Sequence, residues 1–266
     1  PPEAKAIAAN ERRCREDFAY ACASLLWIRP KDEPLVKFRL NWPQRHIYEN
    51  YLRPAWERGE ALALVILKAR RLGITTLMVA WLYHKARWYR GQNCFIVAQD
   101  DPTLAEVFLM ASRFHDNLPP ELVPPIERHN TEQLSYAAPW DSSIRARIAR
   151  YEQVGRGSTI QHVLLDEVGY YADPGSILLG MLDAVPRTSA SSLIMSSTAN
   201  GADTWWEAVW REFSEARGQS SIGGRQWKTC FLPWHVNPYN QLPGVPLDPL
   251  SVEEKEWKSR FNLTDP

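Results

Sequence analysis

The 266 residues are enough for one large α/β domain, or for one domain with a small appendage. Hydrophobic residues make up 45% of them, so a sizeable core can be buried, yet no apolar run can cross a bilayer because Lys68 and Arg70 interrupt the best candidate. Lys plus Arg number 31 and Asp plus Glu number 31, which excludes the whole-surface basic field of many DNA-binding domains; contact with nucleic acid must then come from local clusters or from several copies acting together.

The N-terminal "PPEAKAIAANERRCRED" is polar, without the apolar core of a signal peptide, and has no initiator Met, as expected of a processed or excised chain. Cys14, Cys22, Cys94 and Cys230 show no CxxC spacing, which argues against zinc or a disulfide framework and for a reducing cytosol. Residues 3–27 carry a helical pattern. The proline-bounded "RPKDEPLVKFRLNWPQ" predicts extended or irregular chain. From Pro43 to Glu60 the pattern is helical again, with Ile47, Tyr51, Leu52 and Trp56 on the buried side.

Apolar strands then alternate with helices: strands at 62–67, 94–98, 161–165 and 192–197, helices at 74–89, 102–117, 174–184 and 203–217. Such alternation predicts an α/β fold with a mostly parallel central sheet covered on both faces. In "SSIRARIARY", Ile144, Ala146 and Ile148 face one way and Arg145 and Arg147 the other. With Arg150 these form a basic run, equally suited to phosphates, to pairing with Glu or Asp, or to a solvated strand face. Pro, Asn and Gly thicken from 233 to 249 as in a linker, and "SVEE" from Ser251 fits a capping box that opens a final helix.

Chemistry concentrates in five places. "LVILKARRLGITTLMVAWL" reads as strand, turn and helix around Gly73. A phosphate cradle needs amide hydrogens converging at a helix N-terminus. Against G-x-x-x-x-G-K-[ST], Gly73 takes the second glycine and Thr75 the hydroxyl position, but Lys68 falls on the first glycine and Ile74 on the lysine. The candidate loop is Lys68, Ala69, Arg70, Arg71, Leu72, Gly73, Ile74, Thr75 and Thr76. Thr75 would bind Mg²⁺, and Lys68, Arg70 or Arg71 would supply the missing cation; the alternative is an ordinary strand-to-helix turn.

"VLLDE" places Asp166 and Glu167 at a strand's C-terminal end, where α/β sites form, with Asp166 suited to Mg²⁺ and Glu167 to polarising a water. "LIMSSTANG" ends a strand in Ser196, Ser197 and Thr198, hydroxyls within reach of a γ-phosphate or simply a polar strand cap. Arg156, between glycines in "VGRGS", is either an arginine finger for a neighbouring subunit or a solvated loop residue. Gln44 in "NWPQ" can read adenine through its amide, with Trp42 or Tyr48 for packing.

Taken in order over roughly residues 40–240, these elements resemble the ATPase domain of a tailed-phage terminase large subunit, the DNA-packaging motor. "NWPQ" is similar to its adenine-contacting Q motif, "LKARRLGITTL" to its deviant Walker A with the lysine displaced to the loop's start, "VLLDE" to Walker B, "SSTANG" to the coupling motif and "GRG" to the segment carrying a trans-acting arginine.

The resemblance implies a P-loop NTPase of the ASCE, RecA-like class. It implies an N-terminal helical or lid segment over 1–40, an ATPase core over 41–232 and a lid or linker over 233–266 leading to a nuclease domain outside this sequence. ATP and Mg²⁺ are the implied cofactors. The implied partners are double-stranded DNA, a homo-oligomeric ring, a portal protein and a small terminase subunit, in the host cytoplasm and transiently on the procapsid, with no membrane. No nuclease activity is expected of these residues. The other readings are a helicase-like or repair ATPase, and a nucleotide-sensing DNA-binding module without turnover.

Overall fold

In the computed structural model, which describes residues 2–30, 33–149, 159–187, 190–215, 222–236 and 250–261, the first helix α1 (Pro2–Glu16) does not run on to residue 27. Asp17 adopts an extended backbone and accepts the Tyr20 N–H, capping a separate helix α2 (Phe18–Leu25). Strands β1 (Trp27–Ile28) and β2 (Val36–Lys37) pair antiparallel. Helix α3 (Trp42–Ile47), a π turn at Tyr48–Leu52 and α4 (Arg53–Glu57) form the helical run expected after Pro43. Pro54 explains the wide turn: it has no N–H and crowds the carbonyl four residues before it, and the Arg53 N–H reaches back to the Tyr48 carbonyl.

The central sheet begins with β3 (Leu62–Lys68) and continues through α5 (Ile74–Trp88), β4 (Asn93–Ala98), α6 (Asp101–Asp116), β5 (Ile126–His129), β6 (Gln133–Tyr136), β7 (Ser142–Ile148), β8 (His162–Asp166), α7 (Pro174–Ala184), β9 (Ser192–Ser197), α8 (Trp205–Glu215) and β10 (Trp227–Leu232). Helix α9 (Val252–Phe261) follows, capped reciprocally by Ser251 and Glu254 as read from the sequence.

The strand order is β10-β3-β9-β8-β4-β7-β6-β5. The first six run parallel, and β6 and β5 add an antiparallel edge. Three of these strands were not evident in the sequence. β10 alternates buried Trp227, Cys230 and Leu232 with exposed Lys228 and Phe231, so it lacks the continuous apolar run of an inner strand, while β5 and β6 are short and polar.

Both faces of the sheet are covered. Leu64, Ile66, Ile96, Leu164 and Ile194 pack with α2, α5 and α6, while Val65, Val97, Leu165, Leu193 and Met195 pack with α7 and α8. Helix α5 is buried nearly all round, as expected of a core helix. Truncating a fully buried residue such as Leu77 to alanine costs about 2–5 kcal/mol. All four cysteines are buried free thiols. No helix among the described residues is long and apolar enough to cross a membrane.

Candidate nucleotide site

Because β3, β9 and β8 are adjacent and parallel, their C-terminal ends meet on one edge. Ile66 pairs with Ser196, and Ser196 pairs with Asp166 on its other side. Strand β9 therefore separates the strand that enters the candidate loop from the strand that ends in the acidic pair, and places its own hydroxyls between them.

The loop turns through two left-handed residues, Arg71 (φ 63°) and Gly73 (φ 73°), before α5 starts. A Cβ on Gly73 would lie 2.6 Å from Gln44 Nε2, so glycine is required both by conformation and by space. Ile74, at the usual lysine position, is buried in the core and cannot reach a ligand. Leu72 is buried too, whereas Arg70 and Arg71 are exposed. The Ala69 N–H is used by the Leu232 carbonyl of β10, and Thr76 turns its hydroxyl to Met110 Sδ.

Gln44, read from the sequence as an adenine contact, lies against the loop with its amide engaged by backbone. Its Nε2 donates to the Gly73 carbonyl at 2.8 Å, and its Oε1 accepts the Asn41 N–H at 2.9 Å. Asn41, which the reading of motifs passed over, caps α3 and donates through Nδ2 to the Leu72 carbonyl at 3.2 Å. Its signal was present in the N-x-x-Q spacing of a capping box. These two bonds pin consecutive loop carbonyls toward α3. Trp42 is exposed and stacks on His46, while Tyr48 lies in the core against Phe18.

Lys68, only 8% exposed, pairs with Glu167 at 2.6 Å. The other Glu167 oxygen accepts the Thr198 N–H at 3.2 Å and the Ser197 hydroxyl at 3.4 Å. Glu167 holds a left-handed backbone (φ 53°), which for a residue with a Cβ costs about 1–3 kcal/mol. Asp166 is buried; its Oδ2 accepts the Thr75 hydroxyl at 2.9 Å and its Oδ1 the Ser196 hydroxyl at 2.7 Å. Burial raises its pKa, while the Lys68 charge and the two hydroxyls pull it back. One carboxylate and one hydroxyl on strand and helix ends suit Mg²⁺, a hard ion that takes few protein oxygens and completes its shell with phosphates and water.

Tyr170 was also missed. Its hydroxyl lies 3.1 Å from Thr198 Oγ1, and that hydrogen bond, with the Arg70 guanidinium nearby, lowers the phenol pKa. Nothing in the motif spacing singled it out. Arg147 pairs with Glu132 at 2.7 Å. Arg156 and Arg150 lie outside the described residues.

No protein-family model and no curated protein sequence matches the chain. Solved structures do. The HK97 bacteriophage large terminase superposes with a TM-score of 0.60 at 21% identity, over 82% of this chain and 43% of that one. The chain shares the fold of that part of the HK97 large terminase. The chain thus spans less than half of the HK97 protein, and the likeness extends over most of the sheet-and-helix framework described above. The Thermus phage P74-26 large terminase ATPase domain superposes more loosely, with a TM-score of 0.48 at 18% identity over 83% of this chain and 92% of that one. So does the ADP complex of a large terminase from a thermophilic bacteriophage, with a TM-score of 0.47 at 10% identity over 82% of this chain and 49% of that one.

Proposed function

We propose that this is the ATP-hydrolysing motor domain of a DNA-packaging terminase, driving double-stranded DNA into a viral procapsid. The observation that carries the reading is the pair of contacts across β9, Thr75 to Asp166 and Lys68 to Glu167, which puts a hydroxyl, a cation and two carboxylates at one sheet edge beside a left-handed glycine turn. The HK97 likeness supports the fold in which such an edge works.

In this reading the loop amides and Lys68 would hold the β- and γ-phosphates, and Thr75 and Asp166 would hold Mg²⁺. The ion would neutralise charge developing on the phosphates. Glu167 orients and deprotonates the attacking water. Ser196, Ser197 and Thr198, bonded to both carboxylates, relay phosphate release to the sheet. Arg156 of one subunit completes the site of the next in a homo-oligomeric ring, docked on a portal protein with a small terminase subunit, in the host cytoplasm. The core over 41–232 performs the chemistry, with 1–40 and 233–266 as lid and linker. No nuclease chemistry is assigned to these residues.

The test is Mg²⁺-dependent ATP hydrolysis against protein concentration, with Glu167→Ala and Lys68→Ala alongside. Activity that rises faster than linearly and disappears in both variants is expected. ATP binding without turnover at any concentration, with DNA and partners present, would instead identify a nucleotide-sensing module.

A further inference from the structure

Far from the loop, at the other end of α5, a cavity of about 330 Å³ opens between α1, the end of α5 and the turn before β7. Arg12, Arg15, Arg87 and Arg90 line it with Trp88 and Trp140, against one carboxylate among the described residues, Glu11. Twelve residues of helix at ~1.5 Å each put Arg87 roughly 18 Å from Thr75, so this is not an extension of the nucleotide loop.

Arg87 by itself has a local explanation, since a cation suits a helix C-terminus and it contacts Glu11 at 3.5 Å. Arg15, in the last turn of α1 and 3.5 Å from Glu16, has the same kind of explanation, but Arg12 and Arg90 do not. Arg12 and Arg15 come from a different helix and Arg90 from the following turn, yet all converge on one cavity. The Arg87 guanidinium lies 4.8 Å from the Trp88 ring and the Arg90 guanidinium 5.8 Å from that of Trp140, so each indole of the lining is paired with a cation. The Trp140 ring is itself fixed by donating to the Arg87 carbonyl at 2.9 Å.

We propose that this cavity is a second anion site, built for a phosphate-bearing ligand: a nucleic-acid backbone or a free nucleotide. Guanidinium forks bind phosphate oxygens in pairs. The half-buried Trp140 ring offers apolar surface to a base or sugar, and the cavity is about the size at which small-ligand sites begin. A carboxylate-bearing protein segment would gain from the charge but not from the indole walls.

The experiment follows the indole N–H resonances of Trp88 and Trp140 while inorganic pyrophosphate is added. Saturable shifts are expected, with affinity about tenfold weaker in Arg12→Ala and in Arg90→Ala, and unchanged in Lys68→Ala, where the nucleotide loop is disabled. Both arginines are exposed, so neither substitution should disturb folding. Displacement of pyrophosphate by a short DNA duplex assigns the backbone as the source, and displacement by ADP but not by DNA assigns a free nucleotide; both support the site. Affinity unaltered in both arginine variants, shifts abolished by Lys68→Ala, or equal displacement by polyglutamate would overturn it.

Discussion

Lys68, at the last position of β3, and Glu167, one residue beyond the end of β8, meet 2.6 Å apart across the intervening strand. The cation proposed for phosphate binding therefore neutralises the base proposed for hydrolysis. In the proposed function an arriving γ-phosphate would compete for Lys68 and release Glu167 to act on water. Glu167→Gln is expected to retain ATP binding and to lose about 10²–10⁴ of the hydrolysis rate. Lys68→Ala should weaken binding as well. Equilibrium nucleotide binding measured beside single-turnover hydrolysis separates the two; normal hydrolysis in Glu167→Gln would remove the base assignment.

Gly73→Ala tests how the loop is held. The substitution places a methyl 2.6 Å from Gln44 Nε2 and forces a left-handed backbone onto a residue with a Cβ. The conformation alone costs about 1–2 kcal/mol, and relief by moving Gln44 breaks its bond to the Gly73 carbonyl. Urea denaturation should register that loss, and nucleotide affinity should fall further than in Thr76→Ala, whose hydroxyl points at Met110.

Acidification should destabilise the protein through its buried histidines. His162 is buried between Ser192 Oγ at 2.9 Å and Gln92 Oε1 at 3.0 Å, and desolvation pushes its pKa down to about 3 from the ordinary 6.5. His84 is displaced in the same sense by the same cause. The folded state binds fewer protons than the unfolded one below pH 6.5, so stability is complete above that value and declines as pH falls toward 3. For one such histidine the loss is about 2 kcal/mol at pH 5. His162→Gln keeps a donor and an acceptor without the titration; its unfolding midpoint should vary less between pH 7 and pH 5 than that of the wild type.

The proposed trans role of Arg156 predicts a complementation result. Arg156→Ala and Glu167→Ala proteins, each inactive alone, should regain part of the hydrolysis rate when mixed, because some interfaces then join an intact arginine to an intact carboxylate. Additive inactivity in the mixture would place Arg156 outside the neighbouring site.

The inner strands were legible because β3, β4, β8 and β9 are apolar on both faces, the pattern that a sheet covered on two sides imposes. Asp166, Glu167 and Ser196 could be read as chemical residues because they end such strands. What joins them could not be read: the insertion of β9 between β3 and β8 is a property of strand order, and no local pattern encodes it. The same holds for β10, an edge strand with alternating burial, and for Asp17, whose capping bond breaks what looks like one helix. Gln44 stood out in the sequence only as an adenine reader, while its hydrogen bond to a loop carbonyl depends on packing between α3 and the loop.

The position of β3 also dictates when the site can come into being. Its partners are β9 and β10, and Lys68 is in register with Leu232. During synthesis, the strand that leads into the loop must wait for both neighbours to leave the ribosome. At roughly 5–20 residues per second, that delay is on the order of ten seconds or more. Through that interval this apolar strand lacks both of its sheet partners, and exposed apolar segments of that kind are prone to aggregate.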